Sequence, residues 1–228
     1  MSNELSYLAF QLLGLVCLVA IIPSGYAVAQ TERKYLALGD SYTIGESVFE
    51  NERWPVRLVK TLRINGKVIG APTIIATTGW RTDNLKYAMD KCQLADDYDL
   101  VSLLIGVNNQ YQGKPIEEYA VEFEELLKTA IKLAKGETEN VFVVSIPDYG
   151  YTPLGKPKQV EISKAIDSFN AVNENITEKA GVKYINITDI SRKGIEQPDL
   201  VAGDGLHPSG KMYSLWVDRI KNSLMVDQ

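Results

Sequence analysis

Short continuous apolar runs alternate along this chain with longer stretches in which apolar residues recur every three or four positions. Tyr35-Leu-Ala-Leu is fully apolar up to Gly39 and predicts a first buried strand. Thr73-Ile-Ile-Ala-Thr is β-branched and predicts a second. Leu100-Val-Ser-Leu-Leu-Ile, stopped by Gly106, predicts a third; Val141-Phe-Val-Val-Ser-Ile a fourth; Val182 to Ile187 a fifth. Helical spacing fills the intervals. One helix is expected around Trp54 to Leu62, with Pro55 in the first turn, where its missing N–H is harmless. Others are expected over Asp83 to Leu94, over Ile116 to Ala134 before Gly136, and over Gln159 to Ala180 before Gly181. Ser209 to Met225 predicts a last helix, with Ser209 as its N-cap.

Five strands separated by helices imply right-handed crossovers and an α/β fold: a five-stranded parallel sheet with helices on both faces. Ligands in such sheets bind beyond the carboxyl ends of the strands. Residues with chemistry are therefore expected just after strands.

The first 29 residues stand apart. Leu8 to Ile22 is apolar except for Gln11 and is broken by Pro23, Ser24 and Gly25; Ala27-Val28-Ala29 then gives the small-x-small pattern of a signal-peptidase site. The run is short for a hydrocarbon core of roughly 30 Å. The expected organisation is a signal peptide over 1–29 and one domain over 30–228, exported to the periplasm or secreted. The leader departs from the usual pattern in having Glu4 and no Lys or Arg before the apolar run. Val16 precedes Cys17 where a lipoprotein signal wants a small residue, which argues against lipidation.

Composition narrows the function. The net charge is −5, and −4 once Glu4 leaves with the leader, so no basic footprint for nucleic acid exists. Cys92 is the only cysteine after residue 29, so no internal disulfide forms. One histidine and one mature cysteine do not make a zinc site of common type, and no cofactor or metal is expected. Asp96-Asp97-Tyr98-Asp99 reads as a solvated loop rather than a calcium site. Gly39 to Gly45 has Glu46 where a phosphate loop needs Lys, and no G-x-S-x-G elbow is present.

Four segments remain, each placed as a sheet-edge site requires: Gly39-Asp40-Ser41 after the first strand, Thr77-Thr78-Gly79-Trp80 after the second, Gly106-Val107-Asn108-Asn109 after the third, and Asp204-Gly205-Leu206-His207 before the last helix. An ester carbonyl needs a nucleophile, and a hydroxyl is a weak one until a base takes its proton. Ser41 supplies the hydroxyl. His207, the sole histidine, supplies an imidazole, whose ordinary pKa of about 6.5 suits neutral pH. Asp204, three residues earlier, can fix the ring's tautomer. The Ser41 and Gly79 N–H groups and the Asn108 side chain can face the oxyanion, Gly79 because no Cβ blocks its approach. Each residue has an ordinary role open to it as well: Ser41 and Asn108 in turns, Gly79 and Gly106 as loop glycines, Asp204 as a cap. For Asp40, capping the turn beside Ser41 is the favoured role.

Taken in order, the four segments resemble the blocks of the SGNH/GDSL hydrolase family: Gly39-Asp40-Ser41 the nucleophile block, Gly79 the lone-glycine block, Gly106-x-Asn108 most of the GxND block, and Asp204-x-x-His207 the C-terminal block. Asn109 stands where the family often has Asp. The resemblance implies a flavodoxin-like SGNH fold. It also implies a serine esterase with Ser41, Asp204 and His207 catalytic, and with Ser41, Gly79 and Asn108 forming the oxyanion hole. Its members include lysophospholipases, thioesterases, arylesterases and carbohydrate deacetylases, so the implied partner is a small ester of lipid, aryl or acetylated carbohydrate. Acyl transfer by the same residues is the alternative, and a non-catalytic binding protein a more distant one. Loops around Tyr149-Gly-Tyr-Thr-Pro-Leu-Gly and Asn109-Gln-Tyr-Gln-Gly are expected to wall the site.

Overall fold

The structure, a computed structural model, describes residues 31–225. The leader expected over residues 1–29 lies outside the described residues.

Five parallel strands form the sheet: β1 (Tyr35–Gly39), β2 (Thr73–Ala76), β3 (Leu100–Leu104), β4 (Val141–Val144) and β5 (Lys183–Ile185). Their order is β2-β1-β3-β4-β5, all pairs parallel, the flavodoxin-like arrangement. Every residue of β1, β3 and β4 is buried, which is why those strands read as unbroken apolar runs; the edge strands β2 and β5 are partly exposed.

The helices are α1 (Ser41–Ile44), α2 (Trp54–Ile64), α3 (Thr82–Lys91), α4 (Val107–Tyr111), α5 (Ile116–Leu133), α6 (Gln159–Lys179), α7 (Thr188–Ser191) and α8 (Gly210–Met225). On one face α2 packs on α8, joining Trp54, Leu58 and Leu62 with Tyr213, Trp216 and Ile220. On the other, α5 packs between α3 and α6. Along α5 the buried residues Tyr119, Phe123, Leu126, Leu127 and Ala130 form one stripe, and Glu117 and Glu118 favour its positive N-terminal end. Ser209 caps α8 as expected, its Oγ accepting from Met212 N–H at 3.3 Å.

Strands β4 and β5 stop short of the expected Ile146 and Ile187. Their last backbone donors turn from the sheet ladder to side chains: Ile146 N–H to Asn170 at 2.8 Å, Ile187 N–H to Ser145 Oγ at 2.8 Å. Helix α3 ends at Lys91, not Leu94; Leu94 reaches the core from the following turn instead. The strand direction reverses its spatial progression at β1, beside β3, and the crevice beyond these two strands holds the candidate site.

Candidate active site

Ser41 follows directly from β1 as the first residue of the single-turn helix α1. Asp40 caps that turn: its Oδ1 accepts from Tyr42 N–H at 3.0 Å. This is the structural role expected for it. The carboxyl is fully buried, and among the described residues its Oδ2 has no hydrogen-bond partner. Burial outweighs the Tyr42 bond and pushes the carboxyl up to about 7.

The consequence for stability follows from that sign. A carboxyl raised above its unfolded value of about 3.9 stabilises the fold fully below that pH and ceases to do so as pH rises through about 7. Between pH 5.5 and 8 the loss is about 2 kcal/mol. Asp40→Asn keeps the Tyr42 bond and removes the titration. Thermal melts should show wild type falling in Tm across this range relative to the variant. Parallel pH profiles for the two would contradict the assignment.

His207 lies before α8, 9% exposed, in the same cavity as Ser41. Its Nδ1 is 2.6 Å from Asp204 Oδ2. Asp204 Oδ1 accepts from the N–H groups of Leu206 (2.9 Å) and His207 (3.0 Å), a local turn that sets both residues at once. Oδ2 also accepts from Ser47 Oγ at 2.6 Å. Burial alone would raise the Asp204 carboxyl; bonds from Ser47, His207 and the two backbone groups outweigh it and hold the carboxyl well below the usual carboxylate range. The imidazole therefore faces a dependable anion. Tyr42 packs edge-on against the His207 ring at 5.8 Å, and Tyr42 is itself held by Tyr213 Oη on its carbonyl at 3.0 Å.

The cavity holds about 190 Å³ and opens to solvent. Gly79 and Asn108 line it with Ser41 and His207, so four of the five sequence-predicted site residues converge there; Asp204 stands behind the ring. Asn108 donates one side-chain N–H to the Trp80 carbonyl at 3.0 Å, which fixes the amide, and among the described residues its second N–H has no partner. Asn109 is 1% exposed and turned away from the cavity, accepting from Thr82 N–H at 3.1 Å and donating to Thr82 Oγ1 at 2.7 Å. It thereby ties α4 to the start of α3 and steadies the Gly79 loop that leads into α3.

Backbone conformation gives glycine at position 79 a reason of its own. A Cβ there would meet nothing within 4 Å of the protein; the backbone φ of +83° is what favours glycine. Gly106 is constrained twice, by a φ of +130° and by Tyr119, whose Oη would lie 2.6 Å from a Cβ.

Tyr149 and Tyr111 wall the site as expected, edge to face at 6.0 Å, with Tyr149 Oη on Gln110 at 3.0 Å. The Tyr149 loop hangs on buried Asp148. One of its oxygens accepts from Gly150 N–H and the other from Arg192 Nε, both at 2.9 Å. Tyr42, Thr78, Val107 and Leu206 complete the lining without a sequence signal that marks them. In the Asp96–Asp99 segment, Asp97 pairs with Lys34 and Asp99 with Lys135 at 2.5 Å. A larger cavity of about 520 Å³ lies at the opposite edge of the sheet, but its Arg33 and Lys183 are committed to the carbonyls of Asp99 and Ser223.

A GDSL-like lipase/acylhydrolase family model matches residues 37–215. No curated protein sequence gives a match. Solved structures do. A psychrotrophic esterase, EstA from Pseudoalteromonas sp., superposes with a TM-score of 0.62 at 19% identity, over 85% of this chain and 97% of its own. Axe2, an acetylxylan esterase from Geobacillus stearothermophilus, gives 0.67 at 18% over 85% and 94%. A lipase/acylhydrolase from Enterococcus faecalis gives 0.64 at 22% over 84% and 95%. These are likenesses of fold across nearly the whole of each neighbour.

Proposed function

The chain belongs to the GDSL-like lipase/acylhydrolase family, and from that premise we propose that it hydrolyses a short-chain carboxylic ester through an acyl-enzyme on Ser41. The observation that supports this best is the His207–Asp204 pair at 2.6 Å, its ring in one cavity with Ser41, Gly79 and Asn108. Ser41 Oγ attacks the carbonyl carbon while its proton passes to His207 Nε2. The oxyanion is met by the N–H groups of Ser41 and Gly79 and by the free N–H of Asn108. Collapse expels the alcohol, which takes the proton from Nε2. Water then attacks the acyl carbon, gives its proton to Nε2, and the acid leaves as that proton returns to Ser41. Asp204 stays ionised throughout and stabilises the imidazolium. Among the described residues Ser41 Oγ makes no hydrogen bond; catalytic contacts of this kind close when substrate arrives.

Water is favoured over an acceptor alcohol because the cavity is open at its mouth. Its volume lies below the roughly 300–1,000 Å³ of sites for drug-sized ligands, which favours acyl groups of a few carbons. A p-nitrophenyl ester series tests both points. Turnover should be greatest from acetate to butyrate and fall steeply by octanoate. The EstA neighbour is one inhibited by monoethylphosphonate, and a fluorophosphonate probe should likewise label Ser41 here. Absence of turnover at every chain length, with no labelling, would remove the proposal.

Export belongs to the same proposal, on the strength of Ala27-Val28-Ala29 after a short apolar run. Mass spectrometry of the protein from its native host should find Gln30 at the N-terminus. An intact leader on a cytoplasmic protein would contradict export.

A further inference from the structure

The turn after the nucleophile touches two of the other loops that build the site. Helix α1 closes on Gly45, and the N–H groups of Gly45 and Glu46 both return to the Ser41 carbonyl at 3.0 Å. Glu46 and Ser47 are thus fixed to the nucleophile's own backbone. From there the Glu46 carboxylate accepts from Thr78 Oγ1, next to Gly79. Ser47 Oγ donates to Asp204 Oδ2 at 2.6 Å, across 157 residues of sequence. That oxygen is the one that takes His207 Nδ1, while the backbone of Leu206 and His207 holds the other.

Ser47 sits at φ +64°, a left-handed conformation that a side chain disfavours. Glycine would be the comfortable residue at this position. What serine has and glycine lacks is the hydroxyl, and here it is spent on Asp204.

We propose that Ser47 is a positioning residue: its bond to Asp204 fixes the nucleophile turn against the base and so sets the Ser41–His207 approach. The inference rests on the triad reading above. Strain and hydrogen bond pull in opposite directions at Ser47, so two substitutions separate a positioning role from a merely structural one. Ser47→Gly relieves the strain and deletes the hydroxyl. Ser47→Thr keeps the hydroxyl and worsens the strain, because a β-branched residue is poorly tolerated at positive φ.

Both variants are measured with wild type on p-nitrophenyl acetate and by thermal melting. Ser47→Gly should melt at or above wild type, yet lose about tenfold in kcat with KM within twofold, as expected for a lost charge-assisted hydrogen bond. Ser47→Thr should melt lower and keep kcat within twofold. Fluorophosphonate labelling of Ser41 should slow in Ser47→Gly in proportion to kcat. If kcat follows Tm in both variants, if Ser47→Gly keeps full kcat, or if Ser47→Thr loses as much as Ser47→Gly, the positioning role is overturned while the triad stands. A wild type that neither turns over esters nor labels at Ser41 overturns the triad reading, and this role with it.

Discussion

Replacing Ser41 by alanine is expected to lower kcat on a short p-nitrophenyl ester by about 10⁴–10⁶, His207→Ala by a similar factor, and the double variant by little more than either alone. The reason is that in the proposed mechanism nucleophile and base act as one unit. A hydroxyl without a base is unreactive, and a base without a hydroxyl has nothing to activate, so the second deletion removes a partner that is already idle. Both side chains are small or part of the cavity wall, and neither holds the core. Ser41 Oγ makes no hydrogen bond among the described residues, so Ser41→Ala should leave Tm unchanged within a degree or two. His207→Ala gives up the edge contact with Tyr42 and leaves Asp204 without its ring partner, so a modest fall in Tm is expected beside the loss of rate. Kinetics, melting and fluorophosphonate labelling on the three variants decide the matter. Additive losses would mean that Ser41 and His207 work in separate steps, and labelling of another residue would move the nucleophile.

Much of the fold is legible in the sequence, for physical reasons that also mark where legibility ends. Strands β1, β3 and β4 are buried on both faces, so every position is apolar and the runs announce themselves. Helices α2, α5, α6 and α8 are long enough for a buried stripe to repeat. The one-turn helices α1, α4 and α7 are not, and no periodicity exists in four or five residues. The far ends of β4 and β5 mislead for another reason. Ile146 and Ile187 are apolar and fully buried, as strand residues would be, but their N–H groups bond to Asn170 and Ser145. Apolar pattern reports burial, not the partner of the backbone. The same limit applies at the site. Asp204 and His207 lie three residues apart, and one turn brings them together, so their pairing can be read locally. Ser47, Glu46 and Thr78 meet their partners only through the fold, and a serine six residues after Ser41 has no pattern to give it away.

Asn108 and Asn109 are neighbours of one residue type, and the structure gives them different surroundings and partners. Asn108 lines the cavity with one N–H anchored on the Trp80 carbonyl and the other unspent. If the free N–H meets charge that develops only in the transition state, Asn108→Ala should lower kcat by about 10²–10³, or ~2.7–4 kcal/mol, with KM little changed. Ser41 should remain reactive toward the phosphonate probe, though more slowly, because nucleophile and base are intact. The cost in Tm should be small, since the Trp80 carbonyl sits in a loop that is only partly buried. Asn109→Ala should do the reverse. It strands the buried N–H of Thr82, whose hydroxyl keeps Glu122 as a partner, and a buried polar group without a partner costs about 1–3 kcal/mol. Tm should fall by several degrees, and kcat should fall only as far as the Gly79 loop, which Asn109 steadies, is loosened. The two variants thus trade places: rate without stability for one, stability before rate for the other. A turn role for Asn108 predicts a lower Tm with kcat within about threefold of wild type. That outcome would leave the oxyanion to the Ser41 and Gly79 N–H groups alone.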